Sequence, residues 1–158
     1  NQQARLDIVE KYFAEAPSDN LVYEDMRVAS LSSYAWARQT VSANELYASL
    51  QEQYATNNAM LASLHQSMLS FLEYSGDTAG QKKIYNFFRA GNNRIYLFND
   101  YNYYIYTYKL ALISYREGDY KAAEPLFREV AAQRNTPILA FFAESAEYYL
   151  QNIEDNRQ

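Results

Sequence analysis

The chain has 158 residues, 49% of them apolar and 21% charged, with a net charge of −5 at neutral pH. That length and balance suit one folded domain able to bury a core. The lack of cysteine excludes disulfides and thiolate metal centres, the acidic balance argues against general nucleic-acid binding, and no apolar run reaches the roughly 18 residues of a membrane span. A cysteine-free chain suits a bacterial cytoplasm and a bacterial periplasm or envelope equally. The sequence opens at Asn1 part-way through a helical pattern and without a charged-then-apolar leader, as a mature or trimmed chain would.

Aromatic residues make up 16%, with 17 Tyr against 4 Gly and 3 Pro. Few breakers and many helix formers predict long helices with short connections. A tyrosine carries a ring that packs and a hydroxyl that wants water or a partner, so this many predict numerous half-buried positions.

A first helix is predicted over 3–16, from Leu6, Val9, Tyr12 or Phe13 and Ala16, and Pro17 stops it. Ser18, Asp19 and Asn20 offer capping side chains for a second helix over 21–39, with Val28, Leu31, Tyr34 or Ala35, and Trp36 on its apolar side. Ser42-Ala43-Asn44-Glu45 has the capping-box pattern and opens a third helix over 43–55. A fourth, over 59–74, runs through Leu61, Leu64, Met68, Leu69, Phe71 and Leu72 to the break at Ser75-Gly76-Asp77. Thr78 and Gln81 form a weaker capping box for a fifth over 79–89, ended by Gly91-Asn92-Asn93. A sixth begins at Arg94 or near Asp100 and reaches Arg116; Gly118-Asp119 turns the chain into a seventh over 120–133. Thr136-Pro137, a capping hydroxyl followed by a helix-starting proline, opens an eighth to about Gln151, and the polar tail from Glu154 is expected to fray.

The short breaks force neighbouring helices to run antiparallel. The first helix of each pair recurs about every 38 residues, a spacing typical of a solenoid, with a compact helical bundle as the alternative. Charge is uneven: residues 1–80 hold 4 basic and 10 acidic side chains, residues 81–158 hold 10 and 9. The window 81–94 carries Lys82, Lys83, Arg89 and Arg94 and no acid, which reads either as a solvated helix face or as a patch for an acidic partner.

Leu110-Ala111, Tyr115, Gly118-Asp119-Tyr120, Ala123 and Phe127, then Pro137, resemble the tetratricopeptide repeat. Ala111 and Ala123 are small enough to let two helices approach, and Leu110 and Phe127 fill the space beside the crossing. Pro125 falls in an Ala-x-Pro-x-Phe variant common in that family and predicts a slight kink or late start of its helix. The resemblance is strong over about 35 residues. It is weaker elsewhere, where Gln81 and Tyr85 replace the small and aromatic residues and the turn after the second helix has no glycine. It implies an all-α fold, a right-handed superhelical array of antiparallel hairpins with seven or eight helices. The array forms a single domain over 1–158 whose best-matched repeat is 104–137.

The sequence offers little chemistry. His65 is the one histidine, on a strongly apolar helix, and reads as structural or surface; a metal site needs several donors. Glu144 and Glu147 share a helix face and read as solvated. No phosphate loop, nucleophile elbow or zinc-binding pair occurs, so the expectation is a non-enzyme without cofactor or metal.

By the resemblance, Ile105, Tyr108, Leu112, Tyr115 and Arg116 point into a concave groove, extended one turn by Tyr101. Leu139, Phe142, Ala146 and Tyr149 take the matching places on the eighth helix. The partner-binding set is then Tyr101, Ile105, Tyr108, Leu112, Tyr115, Arg116, Phe142 and Tyr149, an aromatic surface with Arg116 at its rim. Thr107, Leu110, Ala111 and Ser114 face the seventh helix, and Tyr106 and Tyr120 pack between helices. The bland alternative makes the rings stacking core, or covers them with a further helix. Three functions follow: a protein- or peptide-binding adaptor; a carbohydrate-binding module, with Asn99, Asp100 and Asn102 near the rings; or a structural or dimerisation domain forming a homodimer.

Overall fold

The computed structural model describes residues 2–15 and 23–156, and these are all-helical. Eight α-helices follow in order: α1 (Gln2–Glu15), α2 (Tyr23–Trp36), α3 (Thr40–Gln53), α4 (Asn58–Ser75), α5 (Thr78–Arg89), α6 (Asp100–Arg116), α7 (Tyr120–Ala131) and α8 (Ala140–Asp155). Short 3-10 turns, Asn93–Tyr96 and Pro137–Leu139, lead into α6 and α8. The chain expected to form one domain clusters into two compact units, Asn1–Asp77 and Thr78–Gln158.

In the first unit α2 is central and packs against α1, α3 and α4. Its Val28, Leu31 and Ala35 are buried, as are Leu6 and Val9 of α1, Leu50 of α3, and Leu64, Met68 and Leu72 of α4. Trp36 sits edge-on to Phe71 at 5.7 Å and beside Tyr74 at 5.2 Å. His65 is 3% exposed, its Nδ1 2.6 Å from the Tyr47 hydroxyl. Burial lifts the Tyr47 hydroxyl well above the usual phenol range. In the second unit α7 packs heavily on both α6 and α8, while α5 packs on α6.

Three helices end in the same way. Arg38, Gly76 and Gly118 adopt left-handed backbone with φ of 66°, 73° and 79°. The next amide then reaches back to a carbonyl five residues earlier: Gln39 to Tyr34 at 3.0 Å, Asp77 to Leu72 at 3.0 Å and Asp119 to Ser114 at 2.9 Å. Counted from these residues, eight and seven places back lie Ser30-Leu31, Met68-Leu69 and Leu110-Ala111, all buried. Nine places on lie Tyr47, Tyr85 and Phe127, and twelve places on the buried Leu50, Phe88 and Val130. The local pattern thus recurs at 38, 76 and 118.

Arginine at a left-handed position is strained where glycine is not. Arg38→Gly is expected to raise stability by ~0.5–1 kcal/mol, after allowing for the freer unfolded chain. The urea midpoint reads this directly, and an unchanged or lower midpoint would contradict it.

Several sequence expectations are corrected. The capping box at Ser42 and Glu45 is not used: α3 begins at Thr40 behind Gln39, which makes no side-chain cap bond. The left-handed reversal at Arg38 brings the chain into helix three residues early, so Ser42 lies inside the first turn. Thr136 likewise makes no side-chain cap bond, because the chain enters α8 through the 3-10 turn that Pro137 starts. The eighth helix runs one turn past Gln151, to Asp155. α7 starts at Tyr120 rather than late, and continues through Pro125. Its cap is Asp119, which accepts from the Ala122 amide at 3.0 Å. Ala16 to Asn20, with the caps expected there, and Leu21 lie outside the described residues.

Candidate functional site

α6 is buried or half-buried at every position but its ends, Asp100 and Arg116, and packs against α5, α7 and α8. Thr107, Leu110, Ala111 and Ser114 are buried, and Thr107 accepts a hydrogen bond from Arg89 of α5. Tyr106 packs on Tyr85 at 5.2 Å and Phe88 at 5.7 Å, in the direction of α5.

The candidate partner-binding residues divide by exposure. Tyr101, Ile105, Leu112 and Tyr115 are half-buried along one side of α6, and Arg116 beyond them is exposed. Tyr108 is only 9% exposed, so it is not an open groove position. Its ring meets Phe127 at 6.0 Å and Phe142 at 5.4 Å, both edge-on, inside the core shared by α6, α7 and α8. Leu139 and Ala146, expected beside the groove, are core residues too. The reason is rotation: Leu139, just before α8, and Ala143, Ala146 and Ile153 on it turn inward, at spacings of four, three and seven that make one helix face.

Phe142 and Tyr149 lie at the edge of that inward face and are half-buried. Tyr149 stacks on Phe127 at 5.1 Å with 7° between the planes and meets Tyr115 at 4.9 Å. Tyr120 closes the cluster 5.2 Å from Tyr115. Such ring contacts add about 0.5–1.5 kcal/mol each beyond area burial.

Two rings that sequence reasoning passed over stand further out. Phe141 is 71% exposed and Tyr148 is 63% exposed. They are seven residues apart, two helical turns, and so share one side of α8. Each stands edge-on beside its chain neighbour: Phe141 beside Phe142 at 5.7 Å and Tyr148 beside Tyr149 at 5.5 Å. Tracing the i, i+7 pair on the side of α8 away from the core would have found them. α8 therefore presents exposed rings beside half-buried rings that reach into the core.

The basic window at 81–94 resolves into contacts within the second unit. Lys82 pairs with Glu117 at 2.6 Å, Arg89 with Glu129 at 2.9 Å and Arg94 with Asp100 at 3.5 Å. Arg89 also donates to the Thr107 and Tyr103 hydroxyls. Arg94 lies over the rings of Tyr103 at 4.5 Å and Tyr104 at 5.2 Å. Burial, then the hydrogen bond with Glu129, raises the Tyr103 hydroxyl above its ordinary range. A cleft of about 350 Å³ lies between α5, α6 and α7, lined by Lys82, Asn86, Arg89, Leu110, Ser114 and Leu126 among others.

Among the described residues no group of three or more His, Cys, Asp or Glu side chains is placed to hold a metal ion, and no helix is long and apolar enough to cross a membrane. No family model, curated protein or solved structure matches the chain.

Proposed function

We propose that this chain is a non-catalytic protein- or peptide-binding scaffold built from tetratricopeptide-like hairpins. In this reading the hairpins form a right-handed superhelical array. The recurring left-handed turn at 38, 76 and 118, with its buried pair before and its aromatic residue after, favours the repeat. The observation that carries the function is the run of exposed and half-buried aromatic residues on α6 and α8. Phe141 and Tyr148 are exposed, Tyr115, Phe142 and Tyr149 half-covered, and the stripe continues along α6 through Leu112, Ile105 and Tyr101. Rings held from behind lose little freedom when a partner covers them, which is how aromatic anchors dominate interfaces. An extended peptide or an amphipathic helix laid on this surface is the matching partner.

A phage-displayed random peptide library, selected on the immobilised chain, tests the reading. Phe141→Ala and Leu112→Glu are the control variants. Phe141 is exposed, so its truncation should change stability by no more than about 0.5 kcal/mol. Selected peptides are expected to lose at least about tenfold in affinity for each variant, with the helical circular-dichroism signal retained. Tyr108→Ala is unsuitable here because it would damage the core. Failure to select any peptide, or undiminished binding by both variants, would remove the assignment.

A further inference from the structure

The partner surface has a charge as well as a shape. α8 carries four acids, Glu144, Glu147, Glu154 and Asp155, and neither lysine nor arginine. Glu147 is held by Arg134 at 3.2 Å, and Asp155 accepts from Gln151 at 2.8 Å. Glu144 is exposed and engaged by no ion pair or hydrogen bond among the described residues. It lies three residues after Phe141 and four before Tyr148, so the carboxylate and both exposed rings project from one side of the helix.

The same combination occurs elsewhere in this unit with its cation in place. At the start of α6, Asp100 pairs with Arg94 at 3.5 Å while the guanidinium lies over Tyr103 at 4.5 Å and Tyr104 at 5.2 Å. There one carboxylate and two rings of a single helical turn and a half hold one planar cation. On α8, Phe141, Glu144 and Tyr148 present one carboxylate and two rings to solvent. We infer that this triad takes the guanidinium of an arginine in the bound partner segment, one ring stacking on its face while Glu144 meets its N–H edge. Arginine fits better than lysine because its flat, weakly hydrated head can stack and pair at once. A second copy of this chain meeting it α8 against α8 would set acid against acid. The inference rests on the binding reading above and names the chemistry of the partner.

The test uses the peptides selected from the random library and, for each, a synthetic version with citrulline in place of arginine, which keeps shape and loses charge. Arginine should be enriched among the selected peptides. Citrulline should weaken binding to the unmodified chain by about tenfold and leave binding to Glu144→Gln nearly unchanged, and binding to the unmodified chain should weaken with added salt. Peptides without arginine enrichment, or an equal citrulline penalty on both proteins, overturn the inference while leaving the scaffold reading intact. Failure to select any peptide overturns both.

Discussion

Phe127→Ala is expected to destabilise the second unit by about 3–5 kcal/mol, the largest loss from any single truncation in it. Phe127 is fully buried at the meeting of α6, α7 and α8. Its ring touches Tyr108 at 6.0 Å and Tyr115 at 6.3 Å and stacks on Tyr149 at 5.1 Å. Removing it opens a cavity and also withdraws the ring on which Tyr149 of α8 stacks. Urea denaturation followed by circular dichroism measures the loss, and hydrogen exchange should locate it in α7 and α8. Phe127→Leu, which keeps most of the volume, should recover more than half. A loss below about 1 kcal/mol for the alanine variant would mean that the ring is not part of a packed core.

The second large effect is expected at Arg89. Its guanidinium joins three helices: it leaves α5, donates to Thr107 and Tyr103 of α6, and pairs with Glu129 of α7 at 2.9 Å. The side chains of Arg89 and Glu129 are 20% and 33% exposed, between an open surface pair and a buried one. Surface pairs contribute about 0–1 kcal/mol and breaking a buried pair costs about 3–5, so Arg89→Met should cost about 1–3 kcal/mol. Much of that cost is the carboxylate left without its cation. Arg89→Met combined with Glu129→Leu should therefore be more stable than Arg89→Met alone, as read from urea midpoints. A double variant no better than the single would show that the hydroxyl bonds, rather than the ion pair, carry the effect.

Arg89 also shows what a linear reading misses. The run from Lys82 to Arg94 has no acid within it, and so read either as a solvated helix face or as a patch for an acidic partner. Its acids lie at Asp100, Glu117 and Glu129, on helices that only folding brings alongside. Arg38 is a second case. A glycine marks a helix end by its conformational freedom, and Gly76 and Gly118 were legible for that reason. Arg38 takes the same left-handed conformation without the composition that announces it, so the first turn of the series stayed hidden and the capping residue of α3 was misplaced.

The tyrosines divide along the same line. Spacing placed Tyr101, Ile105, Tyr108, Leu112 and Tyr115 on one side of α6. Spacing could not say how far around that side α8 would reach. Tyr108 falls under Phe142 and against Phe127, whereas Tyr115 stays half-covered. On α8 the expected residues Phe142 and Tyr149 are half-buried, and the exposed rings are Phe141 and Tyr148.

The sequence by itself determined that this protein is all-helical, where most of its helices start and stop, and which residues are apolar on each. Those properties follow from local forces: periodicity, capping, and the conformational limits of glycine and proline. Only the tertiary structure decided which cations are neutralised, which aromatic rings are core and which meet solvent. Each of those depends on the rotation of one helix against another, and that rotation is set by how side chains distant in sequence fill the space between them.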